Sequence, residues 1–149
     1  MANSTMWMVR AGEAGYMFED FKDGSRVSIG WQDLGDLSAL QSREDFYQAV
    51  ANAYPLSKKG QIIASAGQAF RFVREIKVGD NVVTYDRSER IYLVGTVRSE
   101  YEFALQLSSE QPNIRRVQWY GQVARDSLSV SARNSLGAIS TLFLIPPEV

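Results

Sequence analysis

Four consecutive segments in the second half of the chain have the residue pattern of β-strands. Each is rich in β-branched and aromatic residues, and the turns between them are rich in Asp, Arg, Ser, Asn and Pro. The connections at residues 86–90 and 98–100 are short enough for antiparallel hairpins. This half of the chain therefore predicts successive strands over residues 81–86, 91–97, 101–107 and 115–124.

The first half of the chain predicts two more strands, over residues 6–10 and 26–32. In the second of these, Val27, Ile29 and Trp31 alternate with polar residues and share one face. Between the two strands, the aromatic and acidic residues 16–21 predict a helical turn or a loop.

Two principal helices are predicted between these strands and the hairpins. Ser42 is a suitable N-cap for a helix that ends before Pro55, and a second helix begins at Ser57 and ends at Gly79. A short helix over residues 131–136 and a strand over 139–145 complete the chain. The expected fold class is α+β, with a curved mixed or antiparallel barrel-like sheet packed by helices.

The size and composition of the chain indicate one domain over residues 1–149. Its 45% hydrophobic and 22% charged residues are typical of a globular domain with one core. No apolar run approaches a membrane span, and the first residues lack a secretory pattern, so a cytoplasmic protein without a membrane partner is expected. The Pro pair near the end suits a domain boundary, so more protein is expected to follow.

The absence of two residue types removes the usual catalytic groups of most hydrolases and metalloenzymes. With no Cys and no His, the chain has no disulfide, no thiolate metal site and no imidazole base. Its paired carboxylates lack the spacing of a calcium loop, and no serine lies in a nucleophile elbow. We therefore expect no cofactor, no metal and no catalytic residue in this chain, which indicates a binding module.

The charge pattern limits the kind of nucleic-acid contact that the chain can make. A net charge of −1 is unusual for proteins that bind mainly the phosphate backbone, so such a role needs a local basic rim and a specific pocket. Arginines greatly outnumber lysines, and arginine is the better bidentate phosphate ligand. The alternative for each arginine is an ordinary ion pair at the surface.

Trp31 and the polar loop after it are the candidate base pocket. A flat indole beside the Asp36 carboxylate and the Ser38 hydroxyl offers a stacking surface and acceptors for an exocyclic amine. Tyr101, at the start of a predicted strand, is a second aromatic candidate. The alternative is that Trp31 only completes the core face of Val27 and Ile29.

Several motifs, taken in order, resemble the N-terminal domain of Mrr-type restriction endonucleases. They are residues 6–12 (MWMVRAG), 27–31 (VSIGW), 35–38 (GDLS), 78–85 (VGDNVVTY), 92–97 (YLVGTV), 116–119 (RVQW) and 133–137 (RNSLG). That domain is similar to the EVE, YTH and PUA superfamily, whose members hold a modified or flipped base in an aromatic pocket. The resemblance implies recognition of methylated or otherwise modified DNA in a restriction system, with cleavage by a separate linked nuclease domain.

These observations lead to one leading assignment of residues. Trp31 and Tyr101 are expected to flank the base, and Asp36 and Ser38 to hydrogen-bond its edge. The basic residues expected to approach phosphate or base oxygens are Arg10, Arg125 and Arg133. Three alternatives remain open: a reader of modified RNA, a metal-dependent enzyme acting on nucleic acid, and a protein-interaction or oligomerisation domain.

Overall fold

The computed structural model describes residues 5–137 and 140–146. These described residues form seven β-strands and four α-helices, as the sequence predicts for an α+β domain. The strands are β1 (Met6–Val9), β2 (Arg26–Ile29), β3 (Asn81–Asp86), β4 (Ile91–Val97), β5 (Glu102–Phe103), β6 (Asn113–Ala124) and β7 (Leu142–Leu144). The helices are α1 (Phe18–Gly24), α2 (Arg43–Ala53), α3 (Lys59–Phe70) and α4 (Val130–Leu136).

The strands form one mixed sheet in the order β2-β6-β4-β3-β1-β7, with β5 paired to β6. The β1 and β3 strands run parallel, and the other pairs are antiparallel. The long β6 strand pairs with β2 through its first residues and with β4 through the rest, with an irregularity in the β4 pairing between Trp119 and Gly121. A bulge bends a strand and increases its twist, so the sheet curls into an open half-barrel.

Side chains on the two faces of the sheet belong to different hydrophobic clusters. The inner cluster includes Trp7, Val82 and Leu93 and packs against α1. The outer cluster includes the sequence neighbours of these residues on the same strands, namely Met8, Val83 and Tyr92, together with Leu136 of α4. Because successive side chains of a strand point to opposite faces, these two clusters lie on opposite sides of the sheet.

The two principal helices pack on each other through a separate cluster that contains Phe46, Val50 and Ile62. Ser42 caps α2 as predicted, since its hydroxyl accepts a hydrogen bond from the Asp45 amide at 3.1 Å within a capping box. The predicted second helix is interrupted, because the α-helical part ends at Phe70 and continues as a π-helical turn over Arg71–Glu75.

Three strand predictions need correction or lie outside the described residues. The strand expected over residues 101–107 is wrong beyond Glu102–Phe103, because the chain turns where the Ala104 carbonyl accepts the Leu107 amide at 3.0 Å. The strand expected over 26–32 ends at Ile29, because Trp31 adopts a left-handed backbone. The strand expected over 139–145 forms over Leu142–Leu144, and residue 139 lies outside the described residues.

Candidate functional site: an arginine-lined cleft

A cleft of about 1000 Å³ opens where the parallel strands β1 and β3 end. The chain that leaves β1 lines it from residue 10 to residue 15, and Arg87 and Ser88 line it after β3. Five of the twelve arginines of the chain meet there, so we call it the arginine cleft. They are Arg10, Arg87, Arg90, Arg125 and Arg133.

The charge of the arginine cleft is opposite to that of the chain. Among the described residues, Glu13 is the only acidic side chain that lines the cleft, whereas the whole sequence carries a net charge of −1. A concave site that gathers one sign of charge concentrates its field and attracts ligands of the other sign. The cleft is therefore suited to an anion.

Arg90 has a carboxylate partner at the rim of the cleft. Its Nη2 lies 2.6 Å from Asp126 Oδ1, and both side chains are exposed. The hydrogen bond and the charge of Asp126 raise the pKa of Arg90, and the same hydrogen bond lowers the pKa of Asp126. An exposed pair of this kind exchanges readily with solvent and can be replaced by another anion.

Two tyrosines of the outer cluster form the wall beside these arginines. The rings of Tyr85 and Tyr92 have centroids 4.7 Å apart and planes inclined by 37°. Burial raises the pKa of Tyr92, while the charge of Arg125 and its hydrogen bond to the phenol, together with the charge of Arg10, oppose that rise. Two guanidinium groups that line the cleft therefore act electrostatically on one buried phenol.

Arg133 has an incompletely satisfied guanidinium. Its Nε is buried and has no hydrogen-bond partner among the described residues. A buried donor without an acceptor costs about 1–3 kcal/mol, so an anion reaching this group would recover that energy.

Trp31 lines the opposite end of the cleft in an unusual backbone conformation. Its φ of 56° and ψ of 39° lie in the left-handed region, and its carbonyl accepts the Leu34 amide at 3.0 Å. This conformation costs a non-glycine residue about 1–2 kcal/mol. Bulky residues held there cluster at binding sites, where the surrounding structure imposes the geometry. The half-buried indole packs on the inner cluster and still lines the cleft.

A chain of hydrogen bonds fixes the backbone next to Trp31. The Tyr101 hydroxyl donates to Asn113 Oδ1 at 2.5 Å, and Asn113 Nδ2 donates to the Gly30 carbonyl at 2.7 Å. The same hydroxyl accepts the Leu37 amide at 3.1 Å. Burial raises the pKa of Tyr101 to about 12. Tyr101 thus holds the loop that carries Trp31, and it is not among the residues that line the cleft.

Asp36 and Ser38 also lie outside the lining of the cleft. Asp36 Oδ1 accepts hydrogen bonds from the Ser38 amide at 2.9 Å and from its hydroxyl at 2.7 Å, which closes a local turn. The Ser38 carbonyl accepts Arg74 Nη2 at 2.6 Å and so joins this turn to the π-helical turn after α3. Both side chains therefore have local structural partners.

The structure brings four of the seven expected site residues together: Trp31, Arg10, Arg125 and Arg133. The sequence reasoning did not single out Tyr85, Tyr92, Glu13 or Gln111. Tyr85 and Tyr92 occur in strands that the sequence predicts, where alternation gives a face but does not say what lies against it. Parallel pairing of β1 with β3 joins residues about 75 positions apart, and no local pattern predicts it.

Two negative observations apply to the part of the chain that the structure describes. No group of three or more acidic side chains there is placed to hold a metal ion. No helix there is long and apolar enough to cross a membrane.

Comparison with known proteins matches most of the chain to a family. No curated protein and no solved structure matches the chain. Residues 7–143 match the family described as Domain of unknown function (DUF8426). This range includes the four helices, nearly all of the sheet and every residue that lines the arginine cleft. The chain belongs to this family.

Proposed function

We propose that this domain binds nucleic acid and recognises a modified base of DNA, without catalysing a reaction itself. The observation that carries this function is the meeting of five arginines and Trp31 in one cleft of a chain whose net charge is −1. Phosphate contacts by arginine and stacking on an aromatic ring are the two contacts that a single nucleotide strand requires.

The arginine end supports the phosphate contacts. The charges of Arg10 and Arg125 act on Tyr92, and Arg133 lines the same cleft. The forked guanidinium matches the oxygens of a phosphodiester better than an ammonium does. Because the charge is local, the domain holds a few phosphates and not a long duplex backbone, so binding should depend moderately on salt.

The Trp31 end supports the base contact. Besides the indole, it offers the exposed Glu13 carboxylate as an acceptor and the Gln111 amide. Gln111 is anchored, because its Oε1 accepts the Ser28 hydroxyl at 2.8 Å, and this leaves its amide NH2 for a ligand. Donors and acceptors of this kind read the edge of an extruded base.

The resemblance to the N-terminal domain of Mrr-type endonucleases and to the EVE, YTH and PUA superfamily supports a modified base as the ligand. A methyl group adds only about 1 kcal/mol of burial energy, so discrimination also requires that the unmodified base leave the pocket incompletely filled. The likeness to the Mrr-type domain favours DNA and assigns cleavage to a separate nuclease domain, whereas the YTH likeness also allows RNA.

The experiment is a binding titration with identical duplexes that carry no mark, 5-methylcytosine, 5-hydroxymethylcytosine or 6-methyladenine, together with matched RNA. We expect one marked DNA to bind most tightly and Trp31→Ala to weaken that binding by about tenfold or more, because base stacking contributes about 1–3 kcal/mol. Tyr120→Ala is the matched control, since Tyr120 is exposed and does not line the cleft.

Three results would contradict parts of this function. Unchanged affinity in a folded Trp31→Ala protein would remove Trp31 from the site. A strong preference for ribose would change the ligand from DNA to RNA. Equal, weak binding to every oligonucleotide would overturn nucleic-acid recognition and favour a protein partner.

A further inference from the structure

The arginine cleft has aromatic walls on both sides of the sheet. Trp31 packs on the inner cluster, with Val82 and Leu93, whereas Tyr85 packs on the outer cluster, beside Val83. Because these strand residues are sequence neighbours, the inner and outer clusters occupy opposite faces. One base cannot contact Trp31 and Tyr85 together.

The segment between the two walls runs across the end of the sheet at which β1 and β3 finish. Residues 10–15, which follow β1, all line the cleft and include Gly12, Ala14 and Gly15. These three residues have φ values of 76°, 56° and 78°. At Gly15 the place of a side chain is open, since only the Tyr85 carbonyl lies within 4 Å of it, so a ligand strand can approach the backbone closely there. At Gly12 the ring of Tyr16 already fills that place.

We infer that the ligand is a strand of two to three consecutive nucleotides that passes around this end of the sheet. One of its bases stacks on Trp31 and a later one on Tyr85. This inference rests on the proposed function, and it names the minimal ligand of the same site. The five arginines then contact the phosphates that join the two bases.

The dimensions of the sheet set this length. Packed sheets lie about 10 Å apart, so side chains extend roughly 5 Å from each face and rings on opposite faces are roughly 10 Å apart. Stacked nucleotides advance about 3.4 Å each along a strand. Three stacked steps, which join four nucleotides, cover that separation, and an unstacked strand, which advances further at each step, covers it with two or three nucleotides. A cleft of about 1000 Å³ also has room for more than one nucleotide.

The test is a series of single-stranded oligonucleotides from one to six nucleotides long, each with the preferred marked base at one end. We expect affinity to rise through the first three nucleotides and then to level off. Tyr85→Leu keeps an apolar side chain against Tyr92 and removes the stacking surface. It should weaken the trinucleotide about tenfold and leave the mononucleotide unchanged.

Trp31→Ala should instead weaken every length. Tyr120→Leu, which removes an exposed tyrosine outside the cleft, should change none of them. Circular dichroism and thermal unfolding verify that each variant is folded, and Tyr85→Phe, which keeps the ring, should bind like the natural protein.

The outcomes separate this inference from the proposed function. A mononucleotide that binds as tightly as the trinucleotide, or a Tyr85→Leu variant that binds the trinucleotide normally, would overturn the inference while leaving base recognition intact. Failure of every length and every marked duplex to bind would overturn the proposed function itself.

Discussion

The two ends of β6 carry polar side chains in different surroundings. At the first end, Asn113 and Arg115 are completely buried, and both donate hydrogen bonds to backbone carbonyls. Just beyond the last residue of the strand, Arg125 lines the arginine cleft and Asp126 is exposed. The first end uses polar groups to fix the backbone, whereas the second end presents them to a ligand.

This difference assigns folding stability to the first end of the strand and ligand binding to the second. A buried donor that satisfies carbonyls contributes to folding, because its loss leaves those carbonyls without partners. The half-buried Arg125 shares a hydrogen bond with the Tyr92 phenol and keeps its other donors for a ligand, so it contributes less to folding. Substitutions at the first end should therefore lower the free energy of unfolding, whereas substitutions at the second end should lower the affinity for nucleic acid.

The largest expected effect is on the folding stability of Arg115→Met. Arg115 Nη1 donates to the Phe72 and Ile76 carbonyls, each at 2.8 Å, and Nε donates to the Ser99 carbonyl at 3.0 Å. Methionine fills a similar volume but leaves three buried acceptors, so we expect a loss of about 3 kcal/mol in the free energy of unfolding, measured with urea.

Arg98→Met is the control for this substitution, because Arg98 is exposed and bonds only to Gln118 among the described residues. It should change stability by less than about 0.5 kcal/mol. If Arg115→Met were as stable as this control, the buried end of β6 would not be a structural support.

The second prediction concerns binding at the other end of the strand. Arg125→Gln keeps a hydrogen-bond donor for Tyr92 but removes the charge. We expect nearly unchanged stability, about tenfold weaker binding of nucleic acid, and a salt dependence whose slope falls by about one. Fluorescence anisotropy over a range of salt concentrations measures the affinity and the slope, and urea unfolding measures the stability.

A matched charge removal at Arg98 tests whether the position matters. Arg98→Gln changes the net charge equally, but Arg98 is not a residue that lines the cleft. Equal losses of affinity in the two variants would show that binding follows the total charge and not the cleft.

The third prediction uses the pH dependence of Tyr101, which holds Asn113 at the buried end of β6. The folded pKa of about 12 exceeds the ordinary value of about 10, so the folded protein holds this proton more tightly than the unfolded chain does. The resulting stability is fully present below pH 10 and is lost as the pH rises toward 12.

Tyr101→Phe removes this group and its hydrogen bonds. Below pH 10 we expect the variant to be less stable by about 1 kcal/mol, after allowing for solvent screening of a half-buried phenol. The difference should shrink between about pH 10 and 12, in urea titrations at each pH. A difference that stayed constant would mean that the Tyr101 proton is not linked to folding.

The sequence predicted the features of the fold that depend on local patterns. The β3 and β4 strands follow from alternation and from a short turn, and the Ser42 cap follows from its hydroxyl before an amphipathic segment. The arrangement of β1 beside β3 could not be predicted, since it depends on pairing between distant segments. That pairing is what brings the segment after Arg10 to Arg87.

The same limit applies to the candidate site. Arg115 lies in β6 and Arg125 follows its last residue, and burial distinguishes the structural arginine from the cleft arginine. Tyr101 is aromatic and near Trp31, yet its hydroxyl is committed to Asn113 and Leu37. Sequence patterns predict which residue types suit a nucleotide, whereas their hydrogen-bond partners decide which of them remain available.

The smallest expected effect is a gain in affinity from Asp126→Asn. The Asp126 carboxylate pairs with Arg90 and also acts through its charge on Arg125 and Arg133, so it reduces the positive field of the cleft. Removing its charge should strengthen nucleic-acid binding about two- to threefold at about 0.05 M salt, and the gain should fade at higher salt as screening increases. Glu44→Gln, a neutralisation on α2 outside the cleft lining, should give no such gain. If Asp126→Asn weakened binding instead, the Arg90 pair would be a support that orients the arginine, and the exposed end of β6 would share the structural role of the buried end.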